Sequence, residues 1–175
     1  MKKLIGAALL ATLGYLLLWP VPVAPVAWTP DPSDGYTGVF APNTALANLE
    51  QHDLLGRHGP EDAAIGGDGT LYISTGEGDI LQRTPDGETS VFATGLGRPL
   101  GIEAGPDGAL WVADAYRGLT RITDAGTELL LTQTDDGMPI KYAYSLDFAP
   151  DGAVWLSDAS TKFGAEASGG TLEGS

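Results

Sequence analysis

Three nearly identical nine-residue segments recur along this 175-residue chain. Each contains an Asp-Gly turn, beginning at Asp68, Asp107 and Asp151, and continues into a run of β-branched, leucine and aromatic residues. The first two turns lie 39 residues apart and the second two lie 44 apart. A period of about forty residues, with turn signals and short strand-like runs inside each unit, is typical of β-propeller blades. The repeat therefore predicts an all-β propeller.

Each repeat unit has room for the four short strands of a blade. Glycine takes the positive φ that closes each Asp-Gly turn, and the aspartate caps the turn locally. Strands are predicted before each turn, after each turn and in the second half of the first two units, and a partial strand is predicted within 46–55. A β-sandwich is the competing architecture, but it does not predict recurrence at 39 and 44 residues. The strands expected in the second halves are 79–83, 88–93, 118–122 and 127–132.

The number of predicted blades determines whether the propeller can close. The propeller domain is predicted over 46–175, with blades at about 58–95, 96–138 and 139–175, the last of them incomplete. A propeller closes with roughly 4–8 blades, and about three are present. We therefore expect the sequence to be part of a longer protein, and we expect this portion alone to be inactive.

The N-terminus has the pattern of an export segment. Lys2 and Lys3 precede an uncharged run that reaches Trp19, so residues 1–19 are predicted to form a hydrophobic helix, as a signal-anchor or a signal peptide. Possible cleavage sites within 21–27 place proline where a small residue is needed, which favours an uncleaved anchor with an exported, periplasmic or extracytoplasmic domain. A secreted protein is the alternative. Residues 20–45 are proline-rich and predict an extended stalk.

Composition excludes several functions. Aspartate and glutamate outnumber lysine and arginine by 23 to 9, giving a formal charge of −14, so nucleic acid is not an expected partner. The absence of cysteine excludes disulfides and thiolate chemistry. The two histidines, His52 and His58, fall in a predicted loop and are read as surface residues.

Alignment of the three turns predicts a ring of residues at one end of the channel. In a propeller the first strand of each blade lines the central channel, so the residues that begin these strands can face one small molecule. The alignment places Glu61, Leu100 and Tyr144 at one equivalent position of the repeat. It places Asp62, Gly101 and Ser145 at the next.

Glu61 is the strongest single candidate on this ring. Its alternative role is that of a solvated side chain or an ion-pair partner of Arg57 or Arg98. Asp114 and Asp158 end equivalent strands, and they are expected to accept hydrogen bonds from backbone amides of the turns that follow.

Four segments together resemble the strictosidine synthase-like proteins of the gluconolactonase, luciferin-regenerating enzyme and paraoxonase superfamily. They are His58-Gly59-Pro60-Glu61-Asp62, Gly97-Arg98-Pro99-Leu100-Gly101, residues 111–119 and residues 156–163. The resemblance implies a six-bladed propeller in the full-length protein and a divalent cation, often calcium, at the top of the channel. It also implies Glu61 as a metal ligand, with Asp62, Tyr144 and Ser145 in the substrate pocket.

The chain departs from the metal-binding members at one position. Where these often carry Asn-Asp or Asp-Asp, this chain has Tyr144-Ser145, and a tyrosine is a poor calcium ligand. Relatives hydrolyse lactones, aryl esters or organophosphates, whereas the plant namesake condenses an amine with an aldehyde without a metal.

Three functions follow from this pattern. The first is a cation-assisted hydrolase of lactone or ester bonds acting on a small-molecule substrate, with catalytic residues that the present sequence does not identify. The alternatives are a metal-free strictosidine synthase-type enzyme and a non-enzymatic propeller that is tethered to a membrane by its N-terminal helix and binds a ligand.

Overall fold

The computed structural model describes residues 2–19 and 26–167. The chain divides into two compact units, one reaching to Pro30 and the other running from Asp31 to Ser168. In the first unit, helix α1 spans Lys2–Leu18, and the rings of Tyr15 and Trp19 lie 5.1 Å apart at its end. Of the helices within the described residues, none combines the length and apolar character needed to cross a membrane. Stalk residues 20–25, most of the possible cleavage sites and residues 168–175 of the third blade lie outside the described residues.

The second unit consists of three antiparallel sheets. Two are four-stranded meanders, and the described part of the third has two strands. Sheet 1 comprises β1 (Ala63–Ile65), β2 (Leu71–Ser74), β3 (Ile80–Arg83) and β4 (Thr89–Ala93); sheet 2 comprises β5 (Pro99–Ala104), β6 (Leu110–Asp114), β7 (Gly118–Thr123) and β8 (Gly126–Leu131); sheet 3 comprises β9 (Ala143–Phe148) and β10 (Val154–Asp158). Short 3₁₀ turns occur at Gly38–Phe40 and Ala165–Ala167. The prediction of an all-β chain with part of a propeller is confirmed.

The Asp-Gly turns connect the first two strands of each sheet. Gly69, Gly108 and Gly152 have φ angles of 84°, 78° and 87°, which only glycine adopts freely. Within each turn the aspartate side chain accepts a hydrogen bond from the amide two residues further on, for example Thr70 N to Asp68 Oδ1 at 2.9 Å. The recurrent dipeptide therefore sets the register of the first hairpin in each sheet.

The partial strand predicted within 46–55 is wrong, because this segment lies in turns and loops. The Asn43 side chain accepts a hydrogen bond from Ala45 N at 2.9 Å, and Asp53 accepts one from Leu55 N at the same distance. These local bonds give the backbone a turn in place of a strand partner. The Leu46 side chain is 73% exposed, so this apolar residue is not buried in a sheet.

The core lies between the sheets. The cluster between sheets 1 and 2 contains Ala64, Ile80, Leu96, Ile102, Leu110, Val112 and Ile122. A second cluster between sheets 2 and 3 contains Ala113, Leu119, Ala143 and Leu146. Burial of both faces of the middle sheet explains why sheet 2 has the most complete apolar pattern.

Polar bonds also join sheet 1 to sheet 2. The buried Ser74 hydroxyl donates to the Leu100 carbonyl at 3.1 Å. In the opposite direction, Ile102 N donates to Asp62 Oδ2 at 3.0 Å. These bonds hold β1 beside β5, and β5 packs in turn beside β9. We call β1, β5 and β9 the inner strands.

Candidate functional site

The residues aligned by the repeat meet in one cavity at the start of the inner strands. The cavity has a volume of about 220 Å³. It is lined by Glu61 and Asp62 of sheet 1, Leu100 and Gly101 of sheet 2, and Tyr144 and Ser145 of sheet 3. All three sheets therefore contribute to this ring cavity, and the four site residues proposed from the sequence lie in it together.

Gly101 allows the second and third inner strands to approach each other at the ring. A Cβ atom on Gly101 would lie 2.7 Å from Ser145 Cα and 2.9 Å from the Tyr144 carbonyl oxygen. Both contacts are with backbone, which cannot rotate away. The glycine thus determines how closely Tyr144 and Ser145 approach sheet 2.

Glu61 is paired with Arg98. Its Oε1 atom lies 3.4 Å from Arg98 Nη2, and both side chains are about one-third exposed. Arg57, the other candidate partner, instead binds Asp79 at 3.1 Å. Burial lowers the pKa of Arg98, but the hydrogen bond that Arg98 donates to Glu61 and the nearby Tyr142 raise that pKa by more, so the guanidinium stays charged. The ring thus carries its own fixed cation beside its carboxylate.

The Asp62 carboxylate is committed to backbone groups. Oδ1 accepts from Ala63 N at 2.8 Å, while Oδ2 accepts from Ile102 N of sheet 2. The backbone amide of Asp62 donates to Ser74 Oγ at 3.0 Å. Asp62 therefore lines the cavity but acts mainly as a link between two sheets.

Tyr144 and Ser145 give the third side of the ring a different chemistry. Tyr144 is 51% exposed, and its ring lies 6.1 Å from that of Tyr142. Ser145 N donates to Ser157 Oγ at 3.0 Å. This side offers a phenol and an aromatic surface in place of carboxylates.

Two aspartates hold the loops that lead into the ring. Asp114 accepts hydrogen bonds from Gly97 N at 2.7 Å, Arg98 N at 3.0 Å and Tyr116 N at 3.0 Å. The prediction that it caps the following turn is confirmed, but two of its three partners lie in the loop before its own sheet. The Asp114 side chain is completely buried, so it accepts these hydrogen bonds away from water. It therefore fixes the backbone that carries Arg98.

Sheets 3 and 1 use the same arrangement with different residues. Asp158 accepts from Lys141 N at 3.0 Å and Tyr142 N at 2.9 Å. In sheet 1, Glu77 accepts from His58 N with both carboxylate oxygens, at 2.9 and 3.0 Å. The repeat pattern did not reveal this role of Glu77, because the first unit has Thr75 at the position of Asp114 and Asp158 and uses a glutamate two residues further on.

A second group of acids lies along the inner strands. Burial raises the pKa of Glu103, and the charges of Asp147 and Asp62 raise it further. Glu103 and Asp147 occupy equivalent repeat positions, so the repeat places like charges on neighbouring inner strands. Ionised Glu103 is therefore less favourable in the folded protein than in water.

Replacement of Glu103 by glutamine should stabilise the protein at neutral pH. Because the folded-state pKa is raised, the native state loses stability as pH rises from the ordinary glutamate pKa of about 4.3 through the raised value. The melting temperature of Glu103→Gln should exceed that of the wild type at pH 7, and the difference should shrink below about pH 4.

Glu88→Gln is the matched control because Glu88 is exposed and the substitution removes the same charge. It reports how much stability comes from lowering the net charge of −14. An equal gain in both variants would contradict a specific penalty at Glu103.

The described residues do not fit a calcium site. Calcium takes six to eight oxygen ligands. Glu61 is paired with Arg98, and both oxygens of Asp62 accept backbone amides. No group of three or more acidic or histidine side chains within residues 2–19 and 26–167 is placed to hold a metal ion.

Four-stranded antiparallel meanders whose first strands lie side by side around a channel define the β-propeller class. Residues 38–83 match the family model described as strictosidine synthase-like, N-terminal. Over these residues the chain is similar to the strictosidine synthase-like proteins.

Curated proteins also show similarity to this chain. The chain is 33% identical over 132 residues to adipocyte plasma membrane-associated protein from Bos taurus, covering 68% of this chain and 32% of the relative. The Homo sapiens protein of the same name is 33% identical over 132 residues, covering 68% of this chain and 31% of the relative. The chain thus spans about a third of the length of these curated relatives. A solved gluconolactonase from Xanthomonas campestris shares the fold, with a TM-score of 0.52 and 24% identity over 56% of this chain and 34% of that one.

Proposed function

We propose that the protein hydrolyses lactone or ester bonds of a small molecule at the ring cavity. The observation that carries this proposal is the Glu61–Arg98 pair, which sets a carboxylate and a guanidinium 3.4 Å apart beside a cavity lined by three sheets. Lactones enter as a substrate class because the solved propeller relative is a gluconolactonase. The acidic net charge favours neutral over strongly anionic substrates.

Each member of the pair has a role in the proposed reaction. Arg98 donates a hydrogen bond to the substrate carbonyl oxygen and stabilises the negative charge that develops there. Glu61 accepts a proton from a water molecule while the oxygen of that water bonds to the acyl carbon. The acyl C–O bond then breaks, the proton passes from Glu61 to the leaving alkoxide, and a carboxylic acid and an alcohol result. The divalent cation predicted from the sequence would need ligands from outside the described residues, so no step is assigned to it.

Glu61→Gln should lower kcat of the intact gene product by about 10²- to 10⁴-fold, because glutamine cannot accept the proton. Phenyl acetate and a γ-lactone are suitable substrates for the assay. Arg98→Met should also lower kcat, by about 10²- to 10³-fold, through loss of the oxyanion donor. Glu88→Gln, at an exposed glutamate, is the matched control and should retain full activity. Full activity of both Glu61→Gln and Arg98→Met would place the chemistry elsewhere.

Tyr144 and Ser145 favour a second candidate, a metal-free enzyme of the strictosidine synthase type. They replace the acidic pair that metal-binding members often carry, and Glu61 already has Arg98 as its cation. This enzyme would condense an amine with an aldehyde and would show no hydrolysis of either ester. Tight calcium binding to the intact gene product would count against it, and inactivity in both assays would favour a ligand-binding propeller.

We also propose that residues 1–19 anchor the protein to a membrane. Lys2 and Lys3 begin helix α1, whose Leu4, Leu9 and Leu10 side chains are exposed. The curated relatives are named plasma membrane-associated proteins. The wild type should remain in the membrane pellet after carbonate extraction, and Leu9→Glu with Leu13→Glu should move it to the supernatant. Extraction of the wild type would contradict the anchor.

A further inference from the structure

Six aspartates of this chain are followed directly by glycine, and this dipeptide can rearrange without an enzyme. The glycine amide nitrogen attacks the side-chain carboxyl carbon of the aspartate, one water molecule leaves, and a five-membered succinimide forms. Water then opens the ring at either carbonyl, which restores aspartate or gives isoaspartate, whose backbone runs through the former side chain. Glycine favours the attack because it has no Cβ atom to hinder it. The six aspartates are Asp34, Asp68, Asp86, Asp107, Asp136 and Asp151.

Two conditions must be met before the succinimide ring can close. The glycine amide must be free to turn towards the carboxyl carbon, so a hydrogen bond from that amide to a fixed backbone carbonyl opposes the attack. The carboxyl group must also be protonated, because an ionised carboxylate has no hydroxyl group to release as water. Hydrogen bonds that favour the ionised carboxylate therefore slow the reaction.

Five of the six glycine amides donate to the backbone carbonyl three residues earlier. The donors are Gly69, Gly87, Gly108, Gly137 and Gly152, at 2.9 or 3.0 Å. Four of these turns join paired antiparallel strands, and the fifth closes the bridged hairpin at 133–139. Such an amide leaves its carbonyl only when the pairing beside the turn opens.

The carboxylates of the same five aspartates are also engaged. Asp68 accepts hydrogen bonds from the amide and the hydroxyl of Thr70, each at 2.9 Å, and these bonds lower the pKa of Asp68. The other acceptor and donor pairs are Asp86 with Thr84, Asp107 with Ala109, Asp136 with Thr134 and Asp151 with Ala153. Ring closure in a turn therefore requires these bonds to break as well.

Asp34 differs from the other five in both respects. Gly35 N donates to the Ser33 hydroxyl at 3.1 Å, and that side chain can rotate away about a single bond. Within residues 2–19 and 26–167, no hydrogen bond or salt bridge reaches the Asp34 carboxylate, and the Thr37 hydroxyl bonds only its backbone carbonyl. Residues 26–35 belong to no helix or strand. Neither the amide nor the carboxyl group of this pair is therefore held.

We propose that Asp34 is a site of spontaneous isoaspartate formation, and that the turn hydrogen bonds protect the other five Asp-Gly pairs. The only co-reactant is water, which leaves at ring closure and returns at ring opening, so the mass of the protein is unchanged. The product places one additional carbon atom in the backbone between helix α1 and sheet 1 and turns the α-carboxyl group into a side group. An enzyme that methylates isoaspartyl carboxylates would therefore take residues 31–37 as its substrate.

Ageing of the folded intact gene product near pH 6 and about 37 °C tests this proposal. Isoaspartate is recognised in proteolytic peptides by a change in retention at unchanged mass and by fragmentation across the modified residue. Ring opening in heavy-oxygen water should add one heavy oxygen atom at Asp34. Isoaspartate at Asp34 should exceed that at each turn site by at least about tenfold, because only molecules with an opened turn can react there.

Two controls separate the dipeptide from its surroundings. In the urea-unfolded protein all six Asp-Gly pairs should react at comparable rates, because the turn hydrogen bonds are lost. Gly35→Ala should slow the reaction at Asp34 in the folded protein, because the added Cβ atom hinders the attack, and should leave the five turn sites unchanged.

An aged, folded protein without isoaspartate at Asp34 would overturn the proposal, since that result shows that this pair is held in the intact gene product. Equal accumulation at Asp34 and at the turn sites of the folded protein would overturn the protective role of the turns. So would reaction of Asp34 alone in the unfolded protein. Each of these results leaves the hydrolase proposal as it stands, because Asp34 does not line the ring cavity.

Discussion

Asp114→Ala should lower the free energy of unfolding by roughly 3–4 kcal/mol, because it removes a completely buried carboxylate that accepts hydrogen bonds from three backbone amides. Gly97, Arg98 and Tyr116 donate these hydrogen bonds in the native protein. Thermal or urea denaturation followed by circular dichroism measures the change.

Two comparisons separate the hydrogen bonds from the charge. Asp135→Ala removes the same charge from an exposed aspartate and should change stability by less than about 0.5 kcal/mol. Asp158→Ala removes the equivalent group from sheet 3, where Asp158 is only partly buried, and should cost less than Asp114→Ala. A loss at Asp114 no larger than that at Asp135 would contradict the role assigned to the buried carboxylate.

Gly101→Ala should cost about 2–3 kcal/mol of unfolding free energy and should also disturb the ring cavity. The added Cβ would meet Ser145 Cα at 2.7 Å and the Tyr144 carbonyl oxygen at 2.9 Å, so the inner strands of sheets 2 and 3 would have to separate. Denaturation measures the loss of stability, and the exposure of Tyr144 can be followed by its ultraviolet absorbance.

Gly67→Ala is the matched control for Gly101→Ala. A Cβ at Gly67 would meet no atom within 4 Å, and the equivalent positions in the other units are Pro106 and Pro150. Its expected effect on stability is below about 0.5 kcal/mol. Equal effects of the two substitutions would show that the strands adjust to the extra atom and that Gly101 does not set their spacing.

The sequence allowed the ring to be predicted because its positions follow from the repeat spacing alone. Once the Asp-Gly turns are aligned, Glu61, Leu100 and Tyr144 must start neighbouring inner strands, and the structure brings them to one cavity. The strands of sheets 1 and 2 were predictable for the same reason, since turn residues and β-branched runs act locally. The suggested domain boundaries remain predictions.

Features that depend on contacts between units could not be predicted in this way. The two carboxylate oxygens of Asp62 are used by backbone amides, one of them on another sheet, and no local pattern reports that use. The same is true of Arg98, which the sequence left as one of two possible partners of Glu61. The strand predicted near Leu46 is an error of the opposite kind, because a strand was expected where the chain forms an exposed turn. An apolar residue alone does not indicate that a segment pairs with a neighbouring strand.

The larger second spacing of the repeat has a practical consequence. The extra residues between units 2 and 3 form a small hairpin closed by a bridge between Gln133 and Pro139, with Gly137 N bonded to the Thr134 carbonyl. The hairpin lies between β8 and β9, and all three inner strands keep their alignment at the ring cavity. Chain length at this point is therefore independent of blade geometry, and Met138 at 55% exposure marks a position where a peptide tag or a fluorescent label can be inserted without touching the channel.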